Sequence, residues 1–205
     1  QIAASSGSMK FGDSADDTHQ FTGSLFISGS RIDLHSIGNR ATFIGHNAGT
    51  GSGDGNYNVG IGYEALSTPR GASSVVAIGY QAGKNITRSA QTGLYTVAIG
   101  DTALYNNTAG SNNIAIGYAA AGHSSAGQTN SVMIGNFAAD AGAGPTNSTV
   151  VGTHAFGAAT GHAQYITALG QYALYGSAST TTGINGAVAI GHKSLYAITS
   201  GVGNT

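Results

Sequence analysis

The segment Ser74-Val-Val-Ala-Ile-Gly-Tyr-Gln-Ala82 contains the pattern that decides the fold of this 205-residue chain. A short apolar run ends in a glycine, and an alanine or serine lies three residues after that glycine. The pattern occurs nine times, with its glycines at Gly45, Gly62, Gly79, Gly100, Gly117, Gly135, Gly152, Gly170 and Gly191. The position numbers of successive glycines differ by 17, 17, 21, 17, 18, 17, 18 and 21. A near-constant period of this kind is typical of proteins built from stacked repeats.

Two columns of branched side chains precede the repeated glycine, where a column means the equivalent position in successive repeats. The residue immediately before the glycine is Ile44, Ile61, Ile78, Ile99, Ile116, Ile134, Val151, Leu169 or Ile190. The third residue before it is Thr42, Val59, Val76, Val97, Ile114, Val132, Thr149, Thr167 or Val188. Residues two apart point to the same face of a strand, and β-branched side chains favour strands. We predict that the first column forms the structural core.

A column of small residues follows the glycine at a distance of three. Its members are Ala48, Ala65, Ala82, Ala103, Ala120, Ala138, Ala155, Ala173 and Ser194. The column after it is mostly apolar and includes Leu66, Leu104, Phe156, Leu174 and Leu195. These two columns line either the interior of the stack or a seam between subunits, and the sequence leaves both possibilities open.

Each repeat is predicted to form one coil of an all-β parallel β-solenoid, or β-roll, of about nine short coils. A short strand leads to the glycine, a second short strand follows, and a polar loop closes the coil. Strands of successive coils pair in parallel, which gives a rod roughly 40 Å long at ~4.8 Å per coil. A helical architecture is disfavoured because the apolar runs are too short and lack helical periodicity.

The repeats assign residues 41–205 to the β-roll domain and residues 1–40 to a short N-terminal β segment. We expect that segment to serve as a cap and to associate with other copies of the chain. Continuing the register places Thr205 three residues before the next glycine. We therefore expect the chain to be truncated in a tenth coil of a longer parent protein.

The composition excludes several classes of function. Charged residues make up only 7% of the chain and the net charge is −1, so nothing in it favours nucleic acid as a partner. The apolar runs are too short for membrane insertion. Cysteine is absent, which excludes disulfides and thiolate metal ligands. We predict no cofactor.

Two families resemble these repeats. Ser74-Val-Val-Ala-Ile-Gly-Tyr-Gln-Ala82, Thr96-Val-Ala-Ile-Gly-Asp-Thr-Ala103 and Ala187-Val-Ala-Ile-Gly-His-Lys-Ser194 resemble the head repeats of trimeric autotransporter adhesins, although the adhesin period is shorter. Coils with longer loops, such as Thr108-Ala-Gly-Ser-Asn-Asn-Ile-Ala-Ile-Gly-Tyr118, look more like repeats of bacteriophage tail fibres. The resemblance implies a homotrimer, a structural role in a phage tail fibre and location in the virion. The alternative is a trimeric adhesin head at the extracellular surface of a bacterium.

The residue after the glycine gives the candidate contact surface. This column is polar or aromatic throughout, and its aromatic and histidine members are His46, Tyr63, Tyr80, Tyr118 and His192. Tyrosine presents an apolar face with a polar tip, which suits stacking on host cell-surface glycans. The simpler interpretation is that tyrosine only covers the strand surface. Two longer loops, near Lys84–Gly93 and Ala178–Gly183, are further candidates for recognition.

No catalytic or metal site is predicted, and we expect no enzymatic activity. The coils contain only four acidic residues, Asp54, Glu64, Asp101 and Asp140. Asp54-Gly-Asn-Tyr-Asn58 resembles the start of a calcium loop but lacks its final glutamate, and His154 and His162 are a weak candidate pair for a metal. Alternatives from another class are a glycan-degrading, tailspike-like enzyme and an ice-binding solenoid.

Overall fold

A computed structural model describes residues 40–51, 55–68, 71–86, 95–123, 128–140, 142, 144–158, 163–176, 184–198, 200–201 and 203. The N-terminal segment 1–40, apart from Arg40, lies outside the described residues. Most of the two longer loops and Thr205 lie outside them as well, so the predictions made for these parts stay predictions.

Nine short strands form one parallel sheet, as the repeat pattern predicts. The strands are β1 (Thr42–Ile44), β2 (Val59–Ile61), β3 (Val75–Ile78), β4 (Thr96–Ile99), β5 (Ile114–Ile116), β6 (Val132–Ile134), β7 (Thr149–Val151), β8 (Thr167–Leu169) and β9 (Val188–Ile190). Each strand pairs with the next one along the chain, in the order β1 to β9. None of the residues that the structure describes is helical, so this part of the chain contains no helix that could span a membrane. The predicted all-β parallel solenoid is confirmed.

The pairing register is the same at every step, whatever the length of the loop between coils. Val59 pairs with Val76 across one of the shortest repeat intervals, whereas Val76 pairs with Val97 across one of the two longest. Equivalent residues therefore stack directly on one another, and the extra residues of the longer intervals lie between strands. The columns defined from the sequence are physical columns along the solenoid.

The strands bury the residue two before the glycine. This inner column consists of Phe43, Gly60, Ala77, Ala98, Ala115, Met133, Val150, Ala168 and Ala189, all buried except the partly buried Phe43. The residues on either side of it point outward. We therefore correct the prediction that the core is formed by Ile44, Ile61, Ile78, Ile99, Ile116, Ile134, Val151, Leu169 and Ile190. In the single chain these side chains range from half-buried to exposed, up to 65% for Ile190.

The narrow interior explains this orientation. The alanine column is fully buried from Ala65 to Ala173, and Leu66, Leu104, Phe156 and Leu174 of the next column are buried beside it. Leu195, in the last coil, is only partly buried against this cluster. These two columns therefore line the interior of one chain and not a seam between subunits. An interior already filled by them leaves room for mostly small side chains from the strands.

The predicted second strand after the glycine is absent from the described coils. The residue two after the glycine instead has φ of 50° to 57°, and the residue four after it has φ of 49° to 67°. These left-handed residues turn the chain sharply, and their N–H groups donate to carbonyls of neighbouring coils, as from Glu64 to His46 and from Leu66 to Ala82. The turn is thus a second ladder of hydrogen bonds along the solenoid.

Two separate structural constraints require glycine at the repeated position. Its φ lies between 113° and 136° in all nine coils, a conformation that other residues rarely adopt. In the first eight coils, a Cβ would also collide with the glycine of the next coil, as for Gly117, where it would lie 2.6 Å from the carbonyl of Gly135. A side chain at this position would push neighbouring coils apart.

Candidate functional site

Aromatic side chains stack along the turn that follows the strands. The rings of His46 and Tyr63 have centroids 5.5 Å apart, and those of Tyr63 and Tyr80 are 5.3 Å apart with planes 9° from parallel. These distances are close to the ~4.8 Å separation of paired strands, so equivalent rings stack because the coils do. Three of the five residues predicted as a contact surface are thereby brought together.

A second stack occupies the column two after the glycine. Phe137, His154 and Tyr172 have centroid separations of 4.8 Å and 5.1 Å and nearly parallel planes. Tyr118 joins this stack by an edge contact with Phe137, and His192 makes an edge contact with Tyr172. We call the complete set the aromatic edge; its members are His46, Tyr63, Tyr80, Tyr118, Phe137, His154, Tyr172, Tyr175, His192 and Tyr196.

The second stack was not predicted from the sequence. Its column also contains Asn47, Glu64, Gln81 and Lys193, so its mixed composition gave no sign of a shared aromatic role. Tyr175 and Tyr196, which stack with centroids 5.3 Å apart, were missed for a different reason. They lie five residues after their glycines, outside the columns defined from the sequence. Tyr175 and Tyr196 are 21 residues apart, as are Gly170 and Gly191. This equal spacing was the signal in the sequence that the two tyrosines occupy the same position in successive coils.

Three tyrosines of the aromatic edge are exposed to solvent. Tyr63, Tyr80 and Tyr118 are each more than 40% exposed. Their rings provide apolar faces to a ligand, and their hydroxyl groups provide hydrogen-bond donors and acceptors. Residues Asn136, Thr153 and Gln171 continue the column with amide and hydroxyl groups. The surface therefore combines stacking with hydrogen bonding, which is the chemistry that carbohydrates require.

One ion pair fixes the turn beside the two stacked tyrosines. Lys84 Nζ lies 2.6 Å from Glu64 Oε2, and Gln81 Nε2 donates to the same oxygen over 2.7 Å. These hydrogen bonds, with that from Lys84 the stronger, lower the pKa of the Glu64 carboxyl from its ordinary value. The same contact raises the pKa of Lys84. The bridge joins the second and third coils on the aromatic edge.

The other chemical candidates are occupied by structural contacts. Asn58, from the segment resembling a calcium loop, is buried, donates to the Ala72 carbonyl and accepts from Val75 N–H. His154 is stacked between two rings, and Asp140 pairs with His123 over 3.0 Å. Asp54 and His162 lie outside the described residues. Across the described ranges, no three histidine or acidic side chains are grouped as a metal site would require.

A second surface is formed by the outward residues of the strands. We call it the strand face; it consists of the two branched columns, Thr42 to Val188 and Ile44 to Ile190. Fifteen of its eighteen side chains are aliphatic and the other three are threonines, so the face carries no charge. It extends over all nine strands, about 38 Å at ~4.8 Å per strand. A continuous apolar strip of this kind is typical of an interaction surface.

Comparison of the chain with protein-family models, with curated proteins and with solved structures gives no match. The resemblance to adhesin heads and tail fibres accordingly stays a prediction.

Proposed function

We propose that this chain is a structural segment of a bacteriophage tail fibre, in which three copies form a rigid rod in the virion that also contacts host-surface glycans. The observation that carries the proposal is the uncharged strand face. It lies on the outside of a solenoid whose interior is already filled by its own side chains.

The strand face supports the homotrimer. In the single chain its aliphatic side chains keep part of their surface exposed: Ile44 and Ile190, in the two end strands, are exposed, and the column between them is half-buried. Burying such surface against another copy is favourable by about 25 cal/mol per Å². All coils present the same face in the same direction, so identical copies placed side by side would cover one another along the whole rod. Heterologous contacts between neighbouring copies that close by a threefold rotation would give a cyclic trimer.

The stacked coils support the role of a rigid rod. Each coil is hydrogen-bonded to the next through its strand and again through its turn. Buried side chains add further links, as where Ser148 N–H donates to Ser131 Oγ and Ile166 N–H donates to Ser148 Oγ. Bending the rod would break several of these bonds at once.

The aromatic edge supports attachment to a surface. It belongs to the turns, so a seam at the strand face leaves Tyr63, Tyr80 and Tyr118 in a different part of each coil. A rod of repeated coils presents the same kind of side chain many times, which suits a repeating polysaccharide. Several weak contacts along one chain combine into stronger attachment.

Molar mass in solution tests the assembly directly. Sedimentation equilibrium should give three times the chain mass of 20.2 kDa. Lysine at the strand face, introduced as Ile116→Lys or Val97→Lys, should dissociate the assembly because a charge would be buried in an apolar seam. Gln171→Lys, on the exposed residue after a glycine, is the matched control and should remain trimeric. A monomeric wild-type chain would refute the trimer. If no glycan on an array binds the chain, its proposed role would be limited to that of a structural spacer.

The alternative, an adhesin head, would also be a trimer, so the sequence of the gene that encodes this chain is needed to distinguish the two. A tail fibre should encode a self-cleaving chaperone domain further on, whereas an adhesin should encode a coiled coil and a membrane anchor.

Ice binding is a second candidate because the strand face is outward, uncharged and regularly spaced. Only three of its residues are threonine, namely Thr42, Thr149 and Thr167. A measurement of thermal hysteresis decides it: growth arrest of ice crystals by a monomer would favour this function over the fibre.

A further inference from the structure

Between Tyr80 and Tyr118, the column of residues that follow the glycine contains one coil without a ring. Tyr63 and Tyr80 stack on each other, and the next coil has Asp101 where the earlier ones have a ring. The coil after that has Tyr118. We propose that this interruption is a binding subsite for a small organic cation with an ammonium group, formed by Tyr80, Asp101 and Tyr118. The inference rests on the proposed role of the aromatic edge in surface attachment and names a ligand class for it.

One face of the Tyr80 ring is available for a ligand. Tyr63 covers the opposite face, with its ring 9° from parallel. Because the stack runs along the solenoid, the other face of Tyr80 is directed toward the coil that contains Asp101. Among the described residues, no aromatic ring stacks there, and Tyr80 remains 48% exposed. The negative face of an aromatic ring attracts cations.

Asp101 supplies an unpaired negative charge at this point. The described residues include three carboxylates, and two of them have basic partners: Glu64 is held by Lys84, and Asp140 by His123. The carboxylate of Asp101 is exposed and has neither a hydrogen bond nor an ion pair within that part of the chain. Asp101 occupies the position that tyrosine occupies in the two preceding coils. Its carboxylate can therefore pair with a cation that also contacts the Tyr80 ring.

The spacing of the coils suits a single ammonium group. Tyr80 and Tyr118 are two coils apart, which corresponds to about 10 Å along the solenoid. A group midway between them lies about 5 Å from each level, within the ~6 Å over which an ammonium interacts with an aromatic ring. The side chain of Asp101 is shorter than a tyrosine side chain, so it fills less of this space than a ring at the same position would.

Other tyrosine rings of this chain lie close to the cationic groups of arginine or lysine side chains. Arg40 lies 5.5 Å from the centre of the Tyr57 ring, Lys84 lies 5.8 Å from Tyr105, and Lys193 lies 5.7 Å from Tyr196. Those cations belong to the chain itself. At Tyr80 the surface provides the ring and the exposed carboxylate of Asp101. The Lys84 ammonium interacts electrostatically with Tyr80 but is paired with Glu64, so a cation for Asp101 must come from a ligand. The charge of Asp101 favours an ammonium compound over a neutral sugar.

Titration of the whole chain with choline tests the subsite. Nuclear magnetic resonance should show shifts of the Tyr80 ring signals that saturate with choline, and weaker binding at higher salt. The uncharged carbon isostere of choline should bind at least about twofold less tightly. Asp101→Asn and Tyr80→Leu should each weaken choline binding about two- to fivefold, whereas Tyr80→Phe should retain it. Asp140→Asn, which removes a carboxylate that is already paired, is the matched control and should bind choline like the wild type.

Equal binding of choline and its isostere would overturn the inference, as would unchanged binding by Asp101→Asn. Absence of any saturable shift would overturn it as well. Circular dichroism of each variant identifies a folding defect. Because Tyr80→Phe keeps an aromatic ring, choline binding by Tyr80→Phe together with weaker binding by a folded Tyr80→Leu would assign the loss to the ring. Failure of the proposed fibre function would appear separately, in the molar mass and in the glycan array, because neither measurement depends on choline.

Discussion

Asn113 and Ser131 occupy the same position in successive coils, and Ser131 N–H donates a hydrogen bond of 3.1 Å to Asn113 Oδ1. The amide group of Asn113 also donates to the Gln128 carbonyl over 2.6 Å. Both residues are buried. One side chain thus satisfies two backbone groups where the chain enters its strand, and it joins two coils in doing so.

Asn113→Ala should therefore lower the free energy of unfolding by about 2–4 kcal/mol, because two buried backbone groups lose their partner. Asn113→Ser, which introduces the residue of the following coil, should recover part of that loss. Urea unfolding followed by circular dichroism measures both. The control is the neighbouring Asn112→Gly, which removes an exposed hydrogen bond to Asn130 and should cost less than about 1 kcal/mol. Equal losses at the two positions would contradict the capping role.

Gly117→Ala should destabilise the chain by about 3 kcal/mol or more, because it combines an unfavourable φ of 136° with a collision against Gly135. Gly191→Ala separates these effects. Gly191 has a φ of 113°, but nothing lies within 4 Å of its Cβ position among the described residues. Its substitution should cost only about 1–2 kcal/mol. Thermal or urea unfolding of both variants gives the comparison, and a smaller loss for Gly117 would show that the collision is easily relieved.

Met133 and Ile134 test which face of the strand is the interior. Met133 is fully buried, whereas Ile134 is half-buried on the strand face. Met133→Ala should cost about 2–5 kcal/mol because it leaves a cavity. In the isolated chain Ile134→Ala should cost about 1 kcal/mol, since neighbouring atoms cover only part of that side chain. Urea unfolding at low protein concentration measures the loss in free energy of unfolding for each of the two variants. A larger loss at Ile134 would restore the orientation first predicted from the sequence.

Acid should weaken the bridge between the second and third coils. The pKa of Glu64 is lowered in the folded chain, so its contribution to stability is present above the ordinary value of 4.5 and is lost as the pH falls through the lower folded value. Nuclear magnetic resonance of the Glu64 carboxyl carbon follows this titration. In Lys84→Met the pKa should rise toward the ordinary value, although the bond from Gln81 remains. Lys193→Met should leave the titration unchanged, and an unchanged titration in Lys84→Met would exclude Lys84 as the main cause.

The repeat period predicted the fold because strand pairing converts sequence spacing into spatial register. The aligned columns gave the strands, their parallel order and the stacked surface that includes His46, Tyr63 and Tyr80. These features depend on which residues are equivalent, and the glycines alone establish that equivalence.

The orientation of the strands depended on information that spacing does not contain. Larger aliphatic residues usually mark the interior, yet the interior here is too narrow to hold a branched side chain from every strand. One signal was present: the outer columns contain Thr42, Thr149 and Thr167, whereas the inner column contains no polar residue. The left-handed turn residues gave no signal, because residues as different as Phe137 and Lys193 adopt the same φ.

The constancy of the register has a consequence for how such chains change during evolution. Strand pairs joined by short and by long stretches of chain make the same contacts in space. Duplication or deletion of one complete coil would therefore preserve every remaining interface and alter the length by one strand spacing of ~4.8 Å. Recombination between coils can lengthen or shorten the molecule in fixed increments, and it can exchange the exposed residues of one coil without redesigning its neighbours.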